Sequence, residues 1–124
     1  MSERRRVLLI DDEPMMHRLV VRALRDLEVL PLASAREALA LLAAGKHFDA
    51  ILCDLNMPDM NGVQFYEALL RISPAVAERT MFFTGGARDD ATARFIDQRP
   101  ERVLQKPVEI KHLRVAVAAV LALS

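Results

Sequence analysis

The chain is 124 residues long, of which 52% are hydrophobic and 27% are charged, and its seventeen basic residues balance its seventeen acidic ones. This length suits one domain over residues 1–124 with a single hydrophobic core, and the composition is unlike that of a disordered chain. The formal net charge of zero argues against a general binder of nucleic acid or anionic membranes, which normally carries a basic surface.

The N-terminal segment and the lone cysteine lead us to expect a cytoplasmic protein. The run from Met1 to Arg6 leads directly into a short strand-like segment rather than into the apolar core of a secretory signal. No apolar stretch approaches the roughly 20 residues of a membrane span. Cys53 has no second cysteine to pair with, and within its apolar run it is expected to pack as a small hydrophobic residue.

The first half of the chain predicts two strand–helix units. Val7–Ile10 is a continuous apolar run, typical of a strand buried on both faces, and Pro14 suits the first turn of the helix that follows. A weaker strand is predicted over Val29–Leu32. Ser34 and Glu37 then form a predicted capping box, in which both side chains bind amides at the start of the second helix.

The second half predicts three more units. A strand over Ala50–Cys53 is followed by a loop that leads into a helix after Gly62. Thr80–Thr84 and Arg102–Gln105 are the last two predicted strands, with one helix between them and another from Glu109 onward. Strands that alternate with helices in this way predict an α/β protein with a doubly wound parallel sheet flanked by five helices.

Polar side chains stand at the C-terminal ends of four predicted strands. They are Asp11, Asp12 and Glu13 after the first strand, Asp54 after the third, Thr84 at the end of the fourth and Lys106 after the fifth. Because these ends meet at one edge of a parallel sheet, we expect a shared cleft there. Crowded carboxylates repel one another, and their oxygens suit Mg²⁺, with Mn²⁺ as a substitute.

The same set of side chains predicts phosphoryl transfer. A lysine and a threonine can bind phosphate oxygens, and a carboxylate can act as the nucleophile that forms an acyl phosphate. Each feature alone has an ordinary explanation, such as a solvated turn or a common loop dipeptide. Their occurrence in order at successive strand ends is what favours a functional site.

Four segments of the sequence resemble the receiver-domain family of two-component signalling, over essentially the whole chain. They are Val7–Glu13, Asp54–Gly62, Thr84–Gly86 and Lys106-Pro107. The second segment is highly specific, because it holds an Asp-x-x-Met-Pro-x-x-x-Gly pattern. The resemblance implies a flavodoxin-like sheet with strand order 2-1-3-4-5. It also implies a signalling phosphoacceptor that takes part in its own phosphorylation and dephosphorylation, rather than a separate enzyme.

The resemblance also implies a role for each site residue. Asp54 would be the phosphoacceptor, Lys106 would pair with the phosphate and Thr84 would turn inward to bind it. The implied Mg²⁺ ligands are Asp12, Asp54, the backbone carbonyl of Asn56 and, through water, Asp11. Asn56 and Gly86 flank the site, Gly85 leaves access for phosphate, and Lys106-Pro107 is expected to be a cis peptide.

Val103 departs from the family pattern. Receivers commonly carry an aromatic residue three positions before the lysine, and its rotation reports phosphorylation. A valine cannot act in this way, so we expect a different readout or a receiver that passes phosphate onward in a phosphorelay. Whether the chain is a stand-alone regulator or the receiver module of a hybrid kinase stays open.

Two surfaces are candidate partner sites. For a histidine kinase or histidine phosphotransfer protein, the resemblance points to Met15, Arg18, Leu19, Arg22 and the Pro107-Val108 loop. The last helix has a predicted core stripe of Ile110, Leu113, Val117, Val120 and Leu121. Val115, Ala118 and Ala122 lie off this stripe, and they are either ordinary exposed residues or a patch for a homodimer or partner. No direct nucleic-acid or membrane partner is expected.

Two other functions are less well supported by the sequence. A Mg²⁺-dependent phosphatase or phosphotransferase with an aspartyl-phosphate would need a second acidic residue near the nucleophile and a cap domain. Here Asn56 stands two residues after Asp54, and no insertion is long enough for a cap. A pseudo-receiver scaffold would never take phosphate, and the intact Asp12, Asp54, Thr84 and Lys106 argue against it.

Overall fold

The computed structural model describes residues 4–123. The prediction that no secretory signal is present rests partly on Met1–Glu3, which lie outside the described residues. The strands are β1 (Arg6–Ile10), β2 (Glu28–Leu32), β3 (Ala50–Asp54), β4 (Thr80–Thr84) and β5 (Val103–Gln105). The helices are α1 (Pro14–Ala23), α2 (Ala35–Ala43), α3 (Gly62–Ile72), α4 (Pro74–Glu78), α5 (Asp90–Gln98) and α6 (Ile110–Leu121), and a 3₁₀ turn spans Pro100–Arg102.

All strand pairs are parallel, and the order is β2-β1-β3-β4-β5, which confirms the flavodoxin-like topology. The prediction of five flanking helices was one too few within residues 4–123, because α4 is an additional short helix. Ser73 ends α3 and caps α4 with its hydroxyl, which accepts from the Val76 amide at 3.4 Å. Pro74 then occupies the first turn of α4, where a missing amide hydrogen costs nothing.

The three central strands β1, β3 and β4 are buried on both faces of the sheet. Along β1, Val7 and Leu9 join one hydrophobic cluster with α1 and α6, whereas Leu8 and Ile10 join the other with α2, α3 and α5. This alternation explains why the strand is apolar at every position from Val7 to Ile10. Cys53 is fully buried in the second cluster as predicted, and burial raises the pKa of its thiol well above the ordinary value.

The capping box predicted at Ser34 is half right. Ser34 Oγ accepts from the Glu37 amide at 3.3 Å, and the structure shows no return bond from the Glu37 side chain among residues 4–123. A reciprocal box lies instead at the start of α3. There Asn61 Oδ1 accepts from the Gln64 amide, and Gln64 Oε1 accepts from the Asn61 amide, both at 2.9 Å. Gly45 ends α2 in a left-handed conformation with φ of 89°.

The predicted core stripe of α6 is correct in its centre and wrong at its start. Leu113, Val117 and Val120 are buried, but Ile110 is 38% exposed and lines a groove together with residues of α1. Val115 is 66% exposed. Within residues 4–123, none of the helices combines the length and the apolar character that crossing a bilayer would require.

Candidate functional site

The sheet brings the predicted site residues to one edge. Asp54 ends β3 opposite Phe83, and Thr84 ends β4 opposite Gln105. The Lys106 amide donates to the Thr84 carbonyl at 2.7 Å, which continues the ladder beyond β5. The prediction that residues from separate strand ends converge is therefore confirmed in the geometry, and Lys106-Pro107 is a cis peptide, as expected.

Three aspartates form the acidic part of the site. One carboxylate oxygen from each of Asp11, Asp12 and Asp54 lies within 4.8 Å of the others. Asp11 is fully buried and Asp54 is 4% exposed, whereas Asp12 is exposed. Backbone amides hold the two buried carboxylates in place, because Glu13 donates to Asp11 Oδ1 at 2.9 Å and Asn56 donates to Asp54 Oδ1 at 3.0 Å.

Lys106 is surrounded by carboxylates. Its Nζ lies 2.7 Å from Glu13 Oε1, 3.0 Å from Asp11 Oδ2 and 3.2 Å from Asp54 Oδ2. Burial acts to lower the pKa of Lys106, but the hydrogen bonds to Glu13 and Asp11 and the charge of Asp54 raise it overall. Glu13 was not assigned a role from the sequence. Its carboxylate makes the shortest of the three contacts with the Lys106 ammonium, and this ammonium lowers the pKa of the Glu13 carboxyl.

The acidic cluster fits a hard divalent cation. Burial raises the pKa of Asp11, and the nearby charge of Asp54 adds to this, although the Glu13 amide and Lys106 oppose it. Asp11 Oδ2 is buried, and its contact within residues 4–123 is the Lys106 ammonium at 3.0 Å. A buried oxygen of this kind beside two other carboxylates is the ligand chemistry that Mg²⁺ prefers.

Thr84 and Asn56 join the two loops beside the site. Thr84 is fully buried, and its Oγ1 accepts from the Gly86 amide at 2.9 Å. Asn56 Nδ2 donates to the Gly86 carbonyl at 3.0 Å. The loop after β4 is therefore tied both to the end of its own strand and to the loop after β3.

An open cavity of about 320 Å³ lies over the cluster. It is lined by Asp12, Glu13, Asp54, Asn56, Met57, Pro58 and Arg88. Arg88 was missed in the sequence, because an arginine in a glycine-containing loop has no spacing that links it to the strand ends. Arg88 lines the cavity because of the path that the loop after β4 takes in the folded protein.

Gly62 explains why the motif after Asp54 ends in glycine. Its amide donates to the Leu55 carbonyl at 3.0 Å. A Cβ at this position would lie 2.8 Å from Leu55 Cα and 3.0 Å from the Asp54 carbonyl oxygen. The first turn of α3 can therefore contact the backbone of the Asp54 segment only because residue 62 has no side chain.

Val103 lies beside a cluster of aromatic rings. It pairs with Phe82 and is half-buried against the core. Phe82, Tyr66 and Phe95 meet edge to face, with ring centroids 5.0 to 5.8 Å apart. The aromatic residues in this part of the protein thus come from β4, α3 and α5 instead of β5.

The candidate partner surface on α1 is exposed. Met15 is 72% exposed, and Arg18 and Arg22 are exposed as well, whereas Leu19 is half-buried. A groove of about 620 Å³ is lined by these four residues together with Val21 and Ile110. Pro107 is exposed and Val108 is half-buried. Ile110, predicted as core, therefore extends the surface that α1 presents.

Comparisons with known proteins agree with this geometry. Residues 7–118 match the family described as the response regulator receiver domain. A response regulator receiver protein of Anaeromyxobacter sp. (strain Fw109-5) is 36% identical over 111 residues, covering 88% of this chain and 45% of the relative. A protein-glutamate methylesterase/protein-glutamine glutaminase of Agrobacterium fabrum (strain C58) is 39% identical over 77 residues, covering 60% of this chain and 22% of the relative.

The fold is also shared with solved structures. The crystal structure of a response regulator receiver domain protein (CheY-like) from Methanospirillum hungatei JF-1 has a TM-score of 0.81 at 24% identity, and the match covers 97% of this chain and 95% of that one. This likeness shows the fold alone. The chain spans less than half the length of the two curated relatives above.

Proposed function

Because this chain belongs to the response regulator receiver domain family, we propose that it accepts a phosphoryl group on Asp54 from a phosphohistidine donor. One observation carries this proposal: the nearly buried Asp54 carboxylate lies 3.2 Å from Lys106 Nζ within the aspartate cluster, and it lines an open cavity. A nucleophile, a cation and access for the donor therefore coincide at one point.

The reaction follows from these positions. An Asp54 carboxylate oxygen attacks phosphorus, the bond between phosphorus and the imidazole nitrogen breaks, and the nitrogen takes the electron pair. The Asn56 amide holds Asp54 Oδ1 at 3.0 Å, while Lys106 lies beside Oδ2. The Thr84 hydroxyl accepts from Gly86, so its own proton is available for a phosphoryl oxygen.

The residues present fit Mg²⁺, and Mn²⁺ in its place. Asp12, Asp54, the Asn56 carbonyl and, through water, Asp11 would hold the ion, and its bound charge would neutralise the phosphoryl oxygens. Support comes from the three carboxylates, whose oxygens lie within 4.8 Å of one another, and from the burial of Asp11 Oδ2 beside the other two. Asp11 and Asp54 are buried while Asp12 is exposed, so the cluster is reached from the solvent side.

Intact mass spectrometry after incubation with acetyl phosphate and Mg²⁺ tests the proposal. Wild type gains one phosphoryl group, and Asp54→Asn gains none. Asp59→Asn is the matched control, because Asp59 is an exposed aspartate in the same loop. Chelation of the metal should abolish the adduct. If wild type takes no phosphate from any small donor or from its cognate kinase, the chain is a pseudo-receiver scaffold.

We further propose that the kinase or phosphotransfer protein docks on Met15, Arg18, Leu19, Arg22 and the Pro107-Val108 loop. The exposed methionine and the groove beside it support this surface. Met15→Glu should slow transfer from a phosphorylated partner while leaving labelling by acetyl phosphate unchanged. Leu70→Glu, on an exposed residue of α3, is the control. Equal slowing by both variants would refute the surface.

We also propose that residues 1–124 form one domain and that this domain acts as a cytoplasmic phosphorelay receiver. Val103 supports it, because no aromatic residue occupies that strand position. The phosphatase alternative is weaker, since the Asn56 side chain is an amide that donates to Gly86. A stand-alone regulator and a module of a larger protein are both compatible with this function.

The exposed face of α6 is a second proposed surface, for a homodimer or another partner. Val115, Ala118 and Ala122 are exposed, and Val115 and Leu123 line an apolar groove of about 620 Å³ beside β5. Solution mass with and without a phosphoryl mimic tests the dimer. A monomer in both states would remove that hypothesis.

A further inference from the structure

Even with the two charges of the Mg²⁺ proposed above, carboxylate charge at the phosphoryl site exceeds positive charge before an anionic donor arrives. Four carboxylates, those of Asp11, Asp12, Glu13 and Asp54, lie around the single ammonium of Lys106. That ammonium has three protons and lies within 3.2 Å of three of these carboxylates. Lys106 therefore has to give up a carboxylate contact before it can bind a phosphoryl oxygen.

Arg88 is a second cation at the same cavity. It lines the space over Asp54 together with Asp12, Asn56 and Pro58. Its side chain makes no hydrogen bond or ion pair with any other residue in the range 4–123. Its guanidinium is thus uncommitted in the free protein, unlike the ammonium of Lys106.

The loop that carries Arg88 is held beside the site and leaves room in front of it. Bonds from Asn56 Nδ2 to the Gly86 carbonyl and from the Gly86 amide to Thr84 Oγ1 hold the start of the loop. A Cβ on Gly85 or Gly86 would meet nothing within 4 Å, so the space over these residues is open. A donor can therefore enter between this loop and Asp12.

We propose, resting on the function proposed above, that Arg88 binds the non-bridging phosphoryl oxygens of an anionic donor as it approaches Asp54. A guanidinium matches a phosphoryl group by two parallel hydrogen bonds, and a cation at the mouth of an acidic cleft raises the local concentration of anions. Arg88 acts on donor capture and orientation, and Lys106 acts on the carboxylate that receives the group.

With acetyl phosphate as the donor, the phosphoryl group passes to Asp54 in a single displacement. An Asp54 carboxylate oxygen forms a bond to phosphorus, the bond between phosphorus and the acetate oxygen breaks, and acetate leaves with the electron pair. No proton is gained or lost overall. Arg88 contacts oxygens that stay on phosphorus throughout, so it remains paired with the transferred group.

The test is the second-order rate constant for phosphorylation, followed by intact mass with Mg²⁺ at low and high salt. Arg88→Ala should lower this constant about tenfold with the dianion acetyl phosphate, because it removes one charge-assisted contact. The loss of rate should be smaller with the less charged phosphoramidate. With acetyl phosphate, the rate constant of Arg88→Ala should depend less on salt than that of wild type. Arg88→Lys should restore part of the rate. Arg94→Ala, an exposed arginine outside this cavity, should match wild type.

The outcomes separate the two proposals. If wild type is labelled and Arg88→Ala reacts at the same rate, or loses rate equally with both donors, Arg88 does not bind the donor. If wild type itself takes no phosphate, the proposed function fails instead. Melting curves check that folding is unchanged, which we expect because Arg88 is exposed. If Arg88→Ala melts lower, Arg88→Gln, which keeps the length and hydrogen bonding but not the charge, decides the question by the same comparison of donors.

Discussion

Replacing Gly62 by alanine should destabilise the domain and disturb Asp54 at the same time. The added Cβ would lie 2.8 Å from Leu55 Cα and 3.0 Å from the Asp54 carbonyl oxygen. Both are backbone atoms, so no side-chain rotation relieves the contact and the loop after β3 must shift. Overpacking of this kind costs about 1–3 kcal/mol, whereas alanine in place of glycine favours a helix by less than about 1 kcal/mol.

The net loss is therefore about 1–2 kcal/mol, which lowers the melting temperature of a domain of this size by roughly 4–8 °C. Thermal unfolding followed by circular dichroism measures it. Phosphorylation by acetyl phosphate should slow as well, because the displaced atoms belong to the Asp54 segment. Gly85→Ala is the control, since a Cβ there meets nothing within 4 Å. If Gly62→Ala melts within about 1 °C of wild type, or Gly85→Ala falls equally far, the steric explanation is wrong.

Three further predictions concern a cap, a titration and the metal. Asn61→Ala removes the side-chain oxygen that accepts from the Gln64 amide at the start of α3 and keeps the backbone amide that donates to Gln64 Oε1. It should cost about 1 kcal/mol in urea unfolding; an unchanged midpoint would contradict this. Burial acts to raise the pKa of Asp49, but bonds from the β1 backbone and from its neighbouring histidine, with a nearby arginine charge, lower it below 3.8 overall. The resulting stability is present above about pH 4 and is lost as pH falls through the folded pKa, so Asp49→Asn should flatten the fall in unfolding free energy between about pH 5 and pH 3, and an equally steep fall would oppose this. Lys106→Met removes the ammonium that lies 3.0 Å from Asp11 Oδ2 and 3.2 Å from Asp54 Oδ2. Titration calorimetry should then show Mg²⁺ binding about tenfold more tightly, and weaker binding would refute competition between the two cations.

Much of the fold could be predicted from the sequence, because it depends on local periodicity. Strands buried on both faces are apolar through their centres, so β1, β3 and β4 are visible as short apolar runs. Their predicted bounds agree with the structure to within one residue. The extra helix α4 was not predicted. Its five residues are too few to show a helical period, and Ser73 serves both as the end of α3 and as the cap of α4.

The contacts of individual side chains could be identified only from the tertiary structure. The stripe on α6 predicted Leu113, Val117 and Val120 as core, but periodicity does not show which turns of a helix the rest of the protein covers. Ile110 is therefore exposed beside α1, although it shares their spacing. The capping box was likewise decided by the tertiary structure. It was predicted at Ser34, but within residues 4–123 it is Asn61, which was not predicted, that takes part in both bonds.

By itself, the sequence determined that Asp54, Thr84 and Lys106 meet at one edge of the sheet. Parallel strands place their C-terminal ends at one edge, so the positions of Asp54, Thr84 and Lys106 followed from the strand pattern. Only the tertiary structure decided the charge balance there. Glu13 contacts Lys106, and Arg88 reaches the cavity over Asp54, because both lie on loops whose paths depend on long-range packing rather than on local spacing.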